Sequence, residues 1–228
     1  MATPSAYGQP TIEKAWRACG AHLSTIALIW VTWLLLSGMG FAVTWVVLLI
    51  SVGISGGDTA NEAASTAGSA LAELAQMPFA VVASLVSVLF VAVPALHYAK
   101  GETITPTQAF ATLVKKPVRY LLAGLLFSLV MSVGFLLCLV PGLVVALVSP
   151  VYINHVFIGD MPIGRAFTRS FQEVYGSPRW VEFVILQIVV GLLVVVVSVC
   201  TCGLGGLVAV PMSGFYIQNA AYHMGILR

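Results

Sequence analysis

The sequence predicts an all-α protein: a polytopic membrane helix bundle of six transmembrane helices, arranged as three repeats of an amphipathic helix plus a helical hairpin. Three observations carry this. Uncharged runs are long enough to cross a bilayer, the basic residues fall on one side of those runs, and a short motif recurs before each pair of them. Only 8% of the 228 residues are charged and 60% are hydrophobic, against about 25% and about 45–50% in soluble domains.

The first uncharged run covers residues 18–57. As one helix it would be about 60 Å long, twice the hydrocarbon layer of about 30 Å, and Gly38-Met39-Gly40 offers a turn within it. Charge decides between one span and two. The segment at 58–76 holds Asp58, Glu62 and Glu73 with no Lys or Arg, whereas Lys14 and Arg17 precede the run. Basic residues stay cytoplasmic, so the run crosses once, as a long tilted helix that protrudes on the outer side. It is expected to act as its own uncleaved signal.

Residues 77–99 form the second span. The run at 120–159 is as long as the first and contains Pro141-Gly142. Proline lacks a backbone donor and glycine accepts the dihedrals of a reversal. A hairpin is therefore predicted, with 121–139 going out and 143–158 returning. A last pair, 183–200 and 207–223, is separated by Cys202-Gly203-Leu204-Gly205-Gly206. Six spans place Lys14, Arg17, Lys100, Lys115, Lys116, Arg119, Arg165, Arg169, Arg179 and Arg228 on one face. The expected location is the cell's inner membrane, multi-pass, with both termini cytoplasmic.

Short amphipathic helices precede the pairs of spans. Thr105-Pro106-Thr107-Gln108 has the pattern of a capping box with proline at the first helical position, and Phe110, Leu113 and Val114 follow as an apolar stripe. Asp160-Met161-Pro162 starts a helix with Ile163, Phe167, Phe171 and Val174 on one face and Arg165, Arg169 and Glu173 on another. Thr11 precedes Ile12, Ala15, Trp16 and Cys19 at the same spacing. TIEKAWRA, TPTQAFAT and PIGRAFTR align on Ala15-Trp16, Ala109-Phe110 and Ala166-Phe167. The chain thus reads as one integral membrane domain, 1–228, with repeat units near 9–100, 104–159 and 161–226 and an outer-side helical insertion near 58–76.

Pro141-Gly142, then Pro150, then Gly159-Asp160 followed by Ala166-Phe167 and Ser170, resembles a group of bacterial six-span membrane proteins. That group is related to the membrane domain of some glycerophosphodiester phosphodiesterases. The resemblance covers the chain from Tyr120 onward. It implies a fold and a lipid or envelope setting, and phosphodiesterase activity is not expected from it, because the residues that carry the likeness lie in the membrane part.

No Gly-rich phosphate loop, H-E-x-x-H, G-x-S-x-G or paired carboxylate is present, so the expectation is a non-enzymatic protein without cofactor or metal. Its interfacial residues are read as Trp16, Phe110, Phe167 and Phe171 for anchoring, with Arg17, Lys115, Lys116, Arg119, Arg165 and Arg169 for anionic contacts. Membrane lipids are the expected partners, with a protein partner or a second copy of the chain beside them, and no nucleic acid. The function so read is organisation of lipid or partner proteins.

The alternative is a transporter or channel for a small or lipid-like substrate, its polar path formed by Asn154, Gln187 and Asn219. No mid-span Asp or Glu supports ion coupling. His22, His97, His155 and His223 all fall near cytoplasmic span ends, without metal-ligand spacing. Cys138, Cys200 and Cys202 fall at outer ends, where a bridge from Cys138 to Cys200 or Cys202 competes with plain apolar packing.

Overall fold

The computed structural model describes residues 8–54 and 62–227, and they are helical throughout apart from turns and short linkers, with no strand among them. Asp58 lies outside the described residues, as do the first seven residues and Arg228. The described chain forms two compact units. One is built from residues before 28 and after 87, the other is Leu28–Ser87.

Eleven helices follow in order among the described residues: α1 Ile12–Ala21, α2 Leu23–Ile54, α3 Glu62–Ser87, α4 Leu89–Lys100, α5 Pro106–Lys115, α6 Pro117–Leu137, α7 Leu139–Ala146, α8 Ser149–Phe157, α9 Ile163–Tyr175, α10 Trp180–Cys200 and α11 Gly206–His223. Among the described residues, five stretches are long and apolar enough to cross a membrane: Leu23–Gly53, Thr66–Lys100, Pro117–Leu137, Leu139–Phe157 and Trp180–Cys200. The chain is therefore compatible with a multi-pass helical membrane protein. The sixth predicted span is helical as α11, but Pro211, Tyr216, Gln218, Asn219, Tyr222 and His223 dilute its apolar residues below that standard. α11 packs against α10, α4, α1 and α8, so its polar groups face protein and lipid sets no demand on them.

The first run is one helix, α2, unbroken through Gly38-Met39-Gly40. In the Leu28–Ser87 unit it packs on α3 through Gly40, where an added Cβ would sit 3.1 Å from that of Phe79. Thr44 also donates from its hydroxyl to Gln76 Oε1 at 3.1 Å. The described part of the outer insertion continues into the following span as α3, which passes through Pro78.

The middle hairpin corrects the sequence reading. The reversal is at Cys138, whose extended backbone (φ −173°, ψ 157°) ends α6 and starts α7. Pro141-Gly142 lies inside the first turn of α7, where a missing N–H costs nothing because it would have no helical partner. Gly142 serves packing instead of turning: a Cβ on it would enter the Phe135 ring, and one on Gly134 would meet the Gly142 backbone at 2.9 Å. The last hairpin turns where expected, through Cys202 (φ 51°) and Gly203 (φ 91°).

A second break, at Leu147–Val148 ahead of Pro150, separates α7 from α8. Side chains from three later helices bond to carbonyls around it. Tyr175 Oη donates to Val144 O at 2.8 Å, Gln187 Nε2 to Leu147 O at 3.0 Å and Gln218 Nε2 to Pro150 O at 2.9 Å. In a hydrocarbon setting such carbonyls have no water to turn to, so these bonds are what permits the break.

Candidate functional site

Functional side chains gather at the end of the bundle where α4, α8 and α11 finish and α6 begins. The short helices α1, α5 and α9 reach this end, and each packs with an alanine buried against its neighbours. Ala15 and Cys19 are the buried residues of α1, Ala109 and Leu113 of α5, and Ala166, Ser170 and Val174 of α9. Of the expected stripes, Ala15, Cys19, Leu113 and Val174 face inward, whereas several of the larger members do not. Ile12 (67% exposed), Trp16 (59%) and Val114 (72%) point away from the protein. Small residues let a short helix lie close on its neighbours, which leaves the large ones outside.

The remaining predicted interfacial residues divide by environment. Phe110, Phe167 and Phe171 are half-buried. Phe167 meets Tyr152 at 5.9 Å and Phe171 at 5.1 Å between ring centroids, so this pair fastens α9 to the bundle. Arg17 pairs with Glu13 on the exposed side of α1. Arg169 Nε donates to Glu173 Oε1 at 2.7 Å. Lys115 and Arg165 are exposed and have no ion pair among the described residues.

Lys116 and Arg119 are committed to the α8–α9 linker. Asp160 there has φ 47°, a left-handed conformation that Asp tolerates better than most residues. Its carboxylate receives Lys116 Nζ at 2.6 Å and the Arg119 guanidinium. The Lys116 hydrogen bond, with the nearby Arg119 charge, holds the Asp160 carboxyl below its ordinary value despite some opposing desolvation. Arg119 also donates to Met161 O, tying the start of α6 to this linker.

The predicted polar-path residues are each buried in helix contacts. Asn154 Nδ2 donates to Tyr222 Oη at 3.0 Å and Gln187 is spent on Leu147. Asn219 is 2% exposed, and its Oδ1 has no hydrogen-bond partner among the described residues, like Gln218 Oε1 beside it. Asn154 also lines a cleft of about 850 Å³ with His155, Arg169, Gln172, Glu173 and Tyr222. His155 Nε2 and Glu173 Oε2 are 2.7 Å apart in its wall. A second cleft of about 310 Å³ adjoins it, lined by Lys100, Lys115, Lys116, Asp160 and the apolar Leu96 and Phe157.

Sequence reasoning missed the His155–Glu173 pair, although one signal for it existed. Glu173 is one of only eight acidic residues, set on an amphipathic helix next to a span that ends in His155. Among the described residues no three of His, Cys, Asp and Glu converge to hold a metal ion. His22 and His97 do meet, ring centroids 4.8 Å apart. The four cysteines are free thiols, with Cys138, Cys200 and Cys202 exposed.

No family model, no curated protein and no solved structure matches this chain.

Proposed function

We propose that the chain is a six-span inner-membrane protein, termini cytoplasmic, that organises anionic lipid through α1, α5 and α9 without catalysing a reaction. The observation that carries this is the outward set of large apolar and basic residues on those helices: Ile12, Trp16 and Val114 beside Lys115 and Arg165. A helix that packs inward through alanines and turns its bulky apolar and cationic side chains outward suits the headgroup layer.

The same observation supports a threefold repeat. The aligned Ala15, Ala109 and Ala166 are all buried, and so are the residues four further on, Cys19, Leu113 and Ser170. The spans alternate in kind as well: only 6%, 17% and 11% of the outgoing spans' most apolar windows are buried, against 50% and 56% of the returning ones. α11 fits as the third returning helix, and its 18 residues reach about 27 Å, enough to cross with slight adjustment. The likeness to the six-span bacterial group belongs to this reading.

The bonds of Asn154 and Gln187 to neighbouring helices favour a structural use of the polar span residues over a transport path. The test is lipid selectivity. Neutralising Lys115 and Arg165 together should reduce the anionic lipid that copurifies with the protein. Unchanged lipid selectivity in that variant would remove the basis of the proposal. Lys116 and Arg119 are left intact because they hold the α8–α9 linker.

A further inference from the structure

We infer that the smaller cleft, between the ends of α4, α5, α6 and α8, is a binding site for a phosphate group carried on an anionic phospholipid or free in solution. The inference rests on the reading above and goes further by assigning one site and one ligand chemistry. Three lysines line the cleft against one aspartate. They come from different parts of the chain: Lys100 ends α4, Lys115 ends α5, and Lys116 is the residue before α6. Lys116 is shared with Asp160, whereas Lys100 and Lys115 have no ion pair among the described residues.

Like charges from separate helices repel, so placing Lys100 and Lys115 on one small cleft costs energy unless an anion sits between them. The start of α6 adds to the same field. This helix begins at Pro117 with no side-chain cap, so the positive end of its dipole stands beside Lys116. Asp160 does not cancel the site, because its carboxylate is already engaged by Lys116 and Arg119.

The other wall suits a lipid. Leu96, Ala99, Tyr120, Phe157 and Ile158 face the cleft, and Tyr120 stacks on Phe157 with ring centroids 4.1 Å apart. A phosphate held by Lys100 and Lys115 would place the glycerol and upper acyl chain of a lipid against this apolar side. The volume, about 310 Å³, is at the lower end for small-molecule sites of roughly 300–1,000 Å³, which fits a headgroup and excludes a large ligand.

The experiment places the full-length protein in nanodiscs of phosphatidylcholine doped with phosphatidylglycerol and counts retained phosphatidylglycerol by native mass spectrometry. Wild type and Arg179→Gln, which alters a basic residue off the cleft and off the three short helices, should retain it. The double variant Lys100→Gln/Lys115→Gln should lose roughly tenfold in retention, as expected when two lysines are removed from an anionic contact. Inorganic phosphate is then titrated against wild type. Displacement of the lipid would assign the site to phosphate itself, and resistance to displacement would assign it to the lipid, with its apolar part contributing. Equal retention by the double variant and wild type would overturn the site while leaving interfacial lipid organisation standing. No enrichment in wild type would overturn both.

Discussion

His22 accepts a hydrogen bond on Nε2 from the backbone N–H of Ile104, at 2.9 Å and 82 residues away in sequence. Thr25, one turn along α2, donates from its hydroxyl to the carbonyl of the same Ile104 at 2.8 Å. Both backbone polar groups of one residue ahead of α5 are thereby held by side chains at the start of α2. His22 Nδ1 donates to Ala18 O at 2.7 Å, so the ring is neutral with its proton on Nδ1.

His22→Ala should leave the Ile104 N–H buried and unpaired, at a cost of about 1–3 kcal/mol, read from denaturant unfolding in detergent. Burial lowers the His22 pKa from its ordinary 6.5, with His97 assisting and the Ala18 hydrogen bond opposing. The bond's contribution is then complete above that ordinary value and is lost as pH falls through the lower native one. Wild type should lose more stability on acidification than His22→Ala does. Parallel pH profiles would show that the ring's neutrality is not required.

The glutamines at the α7–α8 break give a second expectation. Gln187→Leu and Gln218→Leu should each lower stability by about 1 kcal/mol, the scale of hydrogen bonds between membrane helices. Neither lines the basic cleft, so lipid retention should be unaffected. A change in lipid retention without a change in stability would mean that these side chains serve a ligand.

Gly134 and Gly142 separate packing from turning. Gly134→Ala pushes a methyl into the Gly142 backbone at 2.9 Å, whereas Gly142→Ala meets a side chain, the Phe135 ring, which is 42% exposed and has solvent-side space to give way. Overpacking costs about 1–3 kcal/mol, and the larger loss should follow Gly134→Ala. The reverse order would return Gly142 to the role of a turn residue.

That pair also shows where the sequence was legible. Span existence follows from run length against bilayer thickness, and the unbroken α2 follows from the acidic segment after it. Pro141-Gly142 misled because Pro-Gly is equally at home in a first helical turn, and the extended Cys138 has no signature of its own. α11 was legible as a helix, whereas the burial of Gln218 and Asn219 against its neighbours was not. The candidate site was readable only in its inventory. Lys115, Lys116 and the aligned alanines stand out in the sequence, while the meeting of Lys100 with Lys115, or of His155 with Glu173, depends on tertiary pairing that no local pattern encodes.

The exposed cysteines test the six-span topology. A membrane-impermeant maleimide applied to the outer face should label Cys138, Cys200 and Cys202 and spare Cys19, which is buried at the opposite end. Labelling of Cys19 from outside would overturn that topology.

The central claim is that this protein gathers anionic lipid at its basic end, and native mass spectrometry of the protein extracted in its own membrane patch tests it most directly. The account predicts retained anionic phospholipid in excess of the surrounding bilayer. Retention of a protein partner together with lipid of bulk composition would contradict it and make the short helices a protein-binding surface.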